Sequence, residues 1–307
     1  MNGIEDIRFI LVTRKTRLQE LIERFNTWPQ AKFYLEHNSV EANDYLVEHD
    51  NYQKQLVQAE SILKSLGRFQ LLERSLLPSY QFSSRDIVIV IGQDGLVANT
   101  LKYLNGQPVI AINPDPTRWD GKLLPFEIGQ LRDVVMNTIK KKMPNRSVTF
   151  AQATTNDGQT LLAVNDLFIG PKSHTSARYM LKWQGQQEVQ SSSGIIVSTG
   201  LGSTGWFQSI LAGAQAVMGA DYHPLSQGYG WGERKLQFSV REPFPSKTTG
   251  VQLVFGAIED HSPLQLESLM PENGVIFSDG IEDDYLRFNA GCIVSIGIAN
   301  VQGQLIG

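Results

Sequence analysis

The pattern of apolar positions in the first half of the chain predicts strands that alternate with helices. A short apolar run at residues 7–12 predicts a strand. Thr16 and Gln19 follow at the spacing of a capping box, and apolar residues then recur at helical spacing. A longer helix is predicted for residues 41–66, with Gly67 as its stop.

Residues 87–91 (IVIVI) are apolar at every position, which is typical of a strand buried on both faces in a parallel sheet. A glycine-containing turn follows, then a helix predicted for residues 96–104 and a second buried strand predicted for residues 109–112. Because such βαβ units cross over with a right hand, they build a parallel sheet flanked by helices. Residues 127–142 are predicted to form the last helix of this half.

The second half of the chain changes character, because short apolar segments are separated there by turn residues. This pattern predicts an antiparallel or sandwich domain, interrupted by one helix over residues 206–218. The predicted strand segments are TLLAVNDLFIG, SARYMLKW, GIIVST, KLQFSV, GVQLVFGAI, PLQLES, NGVIFSD and GCIVSIGIA. We therefore predict an α/β domain over residues 1–146 and a mainly β domain over residues 147–307, whose last residues are able to pack back on the first domain.

Composition narrows the function classes. The chain has 27 Lys and Arg against 31 Asp and Glu, so no basic excess exists to follow a nucleic-acid backbone. Cys292 is the single cysteine, and the histidines are scattered, so neither an intramolecular disulfide nor a metal site built on cysteines or histidines is predicted. The sequence lacks an apolar stretch of about 18 residues, and we expect a cytoplasmic protein that does not contact membranes.

The first candidate site is the loop Gly92-Gln93-Asp94-Gly95, between the buried strand and the following helix. Ligands of open α/β sheets bind beyond the carboxyl ends of the strands, where glycines let the backbone approach phosphate oxygens. Asp94 there could accept a proton from a hydroxyl group or hold Mg²⁺. Alternatively, Asp94 is only a helix N-cap and the glycines only form the turn.

The second candidate is the segment STGLGSTG at residues 198–205, between a strand and a helix. Its glycines and hydroxyls could form a nest for an anion, although no lysine follows as in a P-loop. The alternative is an ordinary loop in which Ser203 or Thr204 caps the helix.

Two acidic motifs complete the set. Asn165 and Asp166 follow an apolar segment and could bind sugar hydroxyls or an adenine edge, or else form an Asx turn. Asp279 and Gly280 follow the apolar residues VIF, where an Asp-Gly pair is most often a hairpin turn.

In this order the motifs resemble the NAD kinase family, whose fold is related to that of diacylglycerol and sphingosine kinases. The family's GGDGT, its "IN" strand end with an LGFL-like stretch, its NE/ND pair, its GDG…STPTGSTAY segment and its late DG are similar to segments of this chain. Those segments are GQDGL (92–96), AINPDP with LLPF (111–116 and 123–126), VNDL (164–167), SGIIVSTGLGSTGW (193–206) and SDG (278–280). The resemblance runs from about residue 85 onward.

The resemblance implies a Rossmann-like α/β N-terminal domain with a parallel sheet, a β-sandwich-like C-terminal domain and a site in the cleft between them. It implies a kinase that uses ATP and Mg²⁺ to phosphorylate a ribose hydroxyl of NAD(H), giving NADP(H). Asp94 would be the catalytic base. Nucleotide would be bound by Gly92, Gln93, Gly95, Asn165, Asp166, Ser198, Thr199, Gly202, Ser203 and Thr204. Family members form homodimers or homotetramers.

This chain departs from the family pattern within these motifs, and in the STPTGSTAY segment Gly200 and Leu201 replace Pro-Thr while Trp206 replaces Tyr. Gln93 replaces the second glycine of GGDGT, Leu96 replaces its threonine, and Ser193 replaces the aspartate of GDG. Two alternatives therefore stay open beside the NAD(H) kinase: a kinase for another hydroxyl acceptor, such as a sugar or a nucleoside, and a non-catalytic nucleotide-binding protein of the same fold.

Overall fold

The computed structural model describes residues 6–219 and 224–307. The chain divides into two units. The first consists of the residues up to Asn145 together with Gln304–Gly307, and the second consists of Arg146–Gly303. Among the described residues, no helix combines the length and the apolar character that are needed to cross a bilayer.

The first unit is built on parallel strands in the order β2-β1-β3-β4. Its elements are β1 (Arg8–Thr13), α1 (Arg17–Phe25), α2 (Trp28–His37), α3 (Ala42–Leu66), β2 (Arg68–Glu73), β3 (Asp86–Ile91), α4 (Asp94–Leu101), β4 (Pro108–Ile112) and α5 (Leu131–Ile139). Every residue of β3 is buried, as the IVIVI pattern predicts. The parallel sheet and its βαβ unit are confirmed.

Helix boundaries follow local sequence signals in most places. Thr16 and Gln19 form the predicted capping box of α1, and α3 ends at the predicted Gly67. The predicted last helix, residues 127–142, was too long. Residues 128–130 form a 3₁₀ turn, and the chain leaves the helix after Ile139 because Lys141 takes a left-handed conformation with φ 54°. The sequence pattern did not predict α2.

One face of the parallel sheet is covered by α3 and α5. Ala59 and Leu63 of α3 and Leu131 and Val135 of α5 pack with Ile89 of β3 in one apolar core. Burying such side chains stabilises the fold by about 1.5–3 kcal/mol each, so the carboxyl end of β3 is held on a rigid support.

The second unit is mainly β, as predicted. Its elements are β5 (Asn145–Thr155), β6 (Thr160–Ala163), β7 (Asp166–Pro171), β8 (Ala177–Trp183), β9 (Gln186–Ser192), β10 (Ile195–Ser198), α6 (Trp206–Met218), β11 (Leu236–Val240), β12 (Phe255–Ile258), β13 (Leu264–Ser268), β14 (Gly274–Ser278), β15 (Ile281–Arg287) and β16 (Ile293–Ile306). The strand β5 starts at the last residue of the first unit, and β16 ends within the first unit.

Two antiparallel layers of the second unit enclose its core. One has the order β16-β13-β8-β9, with β5 beside β16 and β6 beside β5, and the other has the order β12-β11-β10-β7-β14-β15. Tyr179 and Leu266 of the first layer pack with Ile195 and Phe238 of the second. The helix α6 lies on the outer face of the second layer, where Ile210 contacts a small apolar cluster. The predicted sandwich is confirmed.

The predicted strand segment TLLAVNDLFIG divides close to the Asn165-Asp166 motif, which was expected to follow a strand over LLAV. The chain forms two strands, β6 and β7, interrupted at Val164 and Asn165. Their backbone N–H groups bond to the carboxylate of Asp279 instead of to a neighbouring strand, so the ladder breaks there. The strands β5, β9 and β15 were not predicted.

Candidate functional site

The first group of candidate residues lies where β3 passes into α4. Asp94 is the first residue of α4, and the N-cap is Gln93, whose side chain makes no capping bond. Gly92 is buried, and a Cβ there would lie 2.8 Å from Leu96 Cδ2. Gly95 is exposed, and a Cβ there would have no heavy atom within 4 Å. The first turn of α4 is therefore open at Gly95.

The carboxylate of Asp94 is oriented by the segment that resembles the family's LGFL stretch. The backbone N–H groups of Leu123 and Lys122 donate to it at 2.9 and 3.2 Å. The same segment bonds to the end of β4, where the N–H of Asn113 donates to the carbonyl of Phe126 at 2.8 Å. Three of the motif segments thus meet in the first unit.

Tyr52 of α3 holds the carboxyl end of β3 in place through hydrogen bonds of its hydroxyl group. Its hydroxyl donates to the carbonyl of Ile91 at 3.1 Å and accepts from the N–H of Arg14 at 3.2 Å. Sequence reasoning missed this residue. The apolar stripe of α3 places position 52 on the buried face, but nothing in the sequence shows which carbonyl its hydroxyl meets.

The second group lies at the start of β7. Asp166 is partly exposed, but its Oδ1 atom is buried and has no hydrogen-bond partner among the described residues. Burial raises the pKa of the Asp166 carboxyl to about 7, and the negative charge of Asp279 acts in the same direction, whereas the Ser198 hydroxyl opposes them. Asn165 is partly exposed, and its side-chain amide bonds to none of the described residues. These two side chains are available to a ligand.

The hydroxyls of residues 198–203 serve mainly to hold the loop. The Thr199 hydroxyl donates to the carbonyl of Val164 at 2.5 Å, and the Ser203 hydroxyl donates to the carbonyl of Gly200 at 2.7 Å. Ser198, Thr199 and Ser203 are fully buried. Of the predicted nucleotide-binding hydroxyls, Thr204 is the exposed one. The N-cap of α6 is Gly205, so neither Ser203 nor Thr204 caps this helix.

Two glycines allow this loop to pack against neighbouring backbone. A Cβ on Gly200 would lie 2.2 Å from the carbonyl oxygen of Gly230, and a Cβ on Gly202 would lie 2.3 Å from that of Asn165. Real Cβ atoms essentially never approach so closely, so both positions require glycine. Gly202 therefore brings the loop directly against the Asn165–Asp166 pair.

Tyr229 is a further residue of this group that sequence reasoning missed. Its hydroxyl donates to the carbonyl of Ser198 at 2.7 Å, and its N–H donates to the Ser203 hydroxyl at 3.1 Å. Burial and the nearby Asp166 carboxylate raise the pKa of its phenol, which stays neutral and remains a donor. The only sequence signal was its position in the glycine-rich stretch QGYGWG.

We expect Asp166→Asn to stabilise the protein at pH 8 but not at pH 4. The carboxyl has a pKa of about 7 when folded and about 3.9 when unfolded, so the native state binds more protons between these values and stability falls as pH rises through that window. Three pKa units bound the gain at about 4 kcal/mol. Urea unfolding at both pH values measures it.

Asp157→Asn is the control of opposite sign for that experiment. The Thr155 hydroxyl and the Gln159 side chain lower the pKa of the Asp157 carboxyl, so this variant should lose stability at pH 8. Equal pH dependence of Asp166→Asn and the wild type would contradict the assignment of the raised pKa to Asp166.

Within the described ranges, no group of three His, Cys, Asp or Glu residues could hold a metal ion. The histidines His37, His49, His174 and His261 are described, whereas His223 lies outside the described residues. Mg²⁺ is usually held by one or two carboxylates together with substrate phosphates, a donor set that does not require three protein ligands.

Comparison with solved structures defines the fold. An NAD kinase from Archaeoglobus fulgidus, solved in complex with ATP, matches with a TM-score of 0.57 over 98% of this chain and 93% of its own, at 14% identity. The yeast NADH kinase, complexed with NADH, matches with a TM-score of 0.59 over 98% of this chain and 83% of its own, at 12% identity. No family model and no curated protein sequence matches the chain. The chain therefore has the fold of these two kinases.

Proposed function

We propose that the protein is an ATP-dependent phosphotransferase that phosphorylates a ribose hydroxyl of NAD or NADH, giving NADP or NADPH. One observation carries most of the weight. Asp94 stands at the first turn of α4, beyond the carboxyl end of a buried parallel strand, with its carboxylate oriented by two backbone N–H groups. The two kinases that share the fold, one bound to ATP and one to NADH, support the choice of substrates.

In this proposal each residue has a defined task. Asp94 accepts the proton of the acceptor hydroxyl. The oxygen of that hydroxyl bonds to the γ-phosphorus of ATP while the bond from this phosphorus to the bridging oxygen of ADP breaks. The N–H groups at the start of α4 and the open face at Gly95 receive phosphate oxygens. Asn165 and Asp166 bind hydroxyl groups of the nucleotide. Mg²⁺, when bound with the nucleotide, would neutralise negative charge on the phosphates, and one or two carboxylates together with those phosphates usually hold it.

A second candidate is a nucleotide-binding protein without transfer activity. Both oxygens of Asp94 already accept backbone N–H groups, and Gln93 stands where the kinase motif has glycine. A carboxylate whose task is to anchor the segment at Lys122 and Leu123 would look the same. This observation keeps the binding protein as the alternative.

The direct test is to incubate the pure protein with Mg-ATP and NAD or NADH and to look by mass spectrometry for a dinucleotide that gains one phosphate. Polyphosphate replaces ATP in a second series, and a panel of sugars and nucleosides replaces NAD in a third. A phosphorylated dinucleotide supports the proposal. Binding of ATP and NADH without any product would favour the nucleotide-binding protein without transfer activity. Phosphorylation of a sugar or a nucleoside would show that the acceptor is not NAD or NADH.

We expect Gly95→Ala to weaken ATP binding about tenfold, equal to about 1.4 kcal/mol, while the protein stays at least as stable as the wild type. Apart from its own helix backbone, a Cβ at this position has no heavy atom of the described residues within 4 Å, so we expect it to act by contact with an approaching ligand. Calorimetric titration with ATP measures the effect. Gly129→Ala is the matched control, because its Cβ is equally free in the same unit. Unchanged ATP affinity would mean that phosphate does not approach Gly95.

A further inference from the structure

Asp279 lies in the turn between β14 and β15. Asp279 and Gly280 both take left-handed conformations, with φ of 56° and 71°. Two successive residues with positive φ are what a type I′ hairpin turn requires, and Asp-Gly is a preferred pair for it. The hairpin turn predicted for this motif is therefore confirmed. The Asp279 carboxylate has a role beyond the turn.

That carboxylate binds three consecutive backbone N–H groups. The N–H of Asn165 donates to its Oδ1 at 2.6 Å, the N–H of Val164 to both oxygens at 3.1 Å, and the N–H of Asp166 to Oδ1 at 3.4 Å. In return, the N–H of Asp279 donates to the carbonyl of Asp166 at 3.0 Å. Because the ladder breaks between β6 and β7, two of these N–H groups lack strand partners, and a buried unpaired N–H would cost about 1–3 kcal/mol.

The break between β6 and β7 at residues 164–166, which we call the Asn165–Asp166 corner, is held through its carbonyl groups by a different part of the chain. The N–H and the hydroxyl of Thr199 donate to the carbonyls of Asn165 and Val164, at 2.9 and 2.5 Å. The backbone of the corner is thus bonded on both sides. The side chains of Asn165 and Asp166 do not take part in these bonds, so their placement follows from the fixed backbone.

We propose that Asp279 is a positioning residue of the nucleotide site, which holds the Asn165–Asp166 corner in the conformation that binds hydroxyl groups of a nucleotide. This inference rests on the proposed function. It gives Asp279 a role through the backbone, without contact to the nucleotide. It also explains why an acidic residue stands in a turn that asparagine would fit equally well by conformation.

The charge of Asp279 has a second effect on the same corner. It helps to raise the pKa of the Asp166 carboxyl, which is also desolvated. The other groups that face this region are the neutral Tyr229 phenol and the Ser198 hydroxyl, with Glu233 and Lys235 near Tyr229. Removing the charge of Asp279 while keeping its shape should therefore lower the pKa of Asp166.

The test compares Asp279→Asn with Asp279→Ala. Asparagine accepts the left-handed conformation and retains one oxygen acceptor, whereas alanine removes the carboxylate altogether. The control pair is Asp157→Asn and Asp157→Ala, because the Asp157 carboxylate also bonds within a turn of the second unit, to Thr155 and Gln159. Three quantities are measured: the Kd for NADH by its fluorescence over pH 5–9, the titration of the Asp166 carboxyl carbon by ¹³C NMR, and the melting temperature.

We expect Asp279→Ala to weaken NADH binding at least tenfold. For Asp279→Asn we expect two quantities to shift together to lower pH: the pKa of the Asp166 carboxyl and the pH below which NADH binding weakens. The Asp157 variants should change neither quantity. Folded Asp279 variants that keep both the wild-type Kd and the wild-type titration would overturn the inference. If Asp279→Ala does not fold, Asp279→Asn still decides.

The outcome is separable from that of the proposed function. If the wild type binds no NADH, the proposed function fails, and the ¹³C titration then decides only whether Asp279 controls the Asp166 carboxyl. If the wild type phosphorylates NADH while both Asp279 variants bind and titrate normally, the proposed function stands and the positioning role fails.

Discussion

Asp94→Asn should slow phosphoryl transfer by about 10²–10⁴-fold while the protein stays folded and still binds nucleotide, because this range is the usual contribution of a general base. Asparagine has nearly the shape of aspartate but cannot accept the proton of the acceptor hydroxyl. The loss should therefore fall on kcat, with the Kd for ATP and NADH changed far less. Initial rates and calorimetric titrations of the same preparations measure the two effects.

The local geometry defines the control for this variant. The asparagine amide can present its oxygen to one of the two N–H groups at Lys122 and Leu123, but its NH₂ group would then face the other. The lost hydrogen bond should cost about 1 kcal/mol of stability. Asp133→Asn removes an exposed carboxylate from α5 of the same unit and should leave the rate unchanged. A wild-type rate for Asp94→Asn would reduce Asp94 to an anchor of the Lys122–Leu123 segment.

Gly202→Ala should destabilise the protein by about 3 kcal/mol or more and abolish nucleotide binding. The new Cβ would lie 2.3 Å from the carbonyl oxygen of Asn165 and 2.8 Å from Oδ1 of Asp166. One of these is backbone and cannot rotate away, so the loop or the corner must move. Because the corner carries the two side chains that we propose bind the nucleotide, its displacement should remove binding even in molecules that stay folded.

Gly213→Ala is the matched control for this substitution. Gly213 lies within α6, and a Cβ there meets no heavy atom within 4 Å. Alanine is favoured over glycine inside a helix by about 0.5–1 kcal/mol, so this variant should be slightly more stable than the wild type. Urea unfolding followed by circular dichroism compares the three proteins. Equal stability of Gly202→Ala and the wild type would show that the loop tolerates a shift.

The parts of the fold that the sequence predicted are those whose signals are local. The capping box of α1, the stop of α3 at Gly67 and the buried strand β3 each depend on residues within a few positions of one another. The edge strands β9 and β15 escaped prediction because their sequences, QQEVQSS and IEDDYLR, are mostly polar. Edge strands often carry such residues, which discourage pairing with other molecules, so apolar alternation is absent.

The candidate site shows the same division. Sequence motifs indicated Asp94, Asn165 and Asp166, but not what surrounds them. Thr199 and Val164 are far apart in the chain, and only the folded chain shows that the hydroxyl of Thr199 donates its hydrogen bond to the carbonyl of Val164. The raised pKa of Asp166 likewise depends on burial, which no spacing rule predicts.

The order in which the chain is synthesised gives one strand pair a particular consequence. Gln304 and Leu305 pair with Pro108 and Val109, so the last residues complete one edge of the parallel sheet of the first unit. On the ribosome that edge of β4 stays open until residues 146–303 have been made, roughly eight to thirty seconds at ~5–20 residues per second. Open strand edges recruit other chains, so nascent-chain chaperones have an interval in which this edge needs protection.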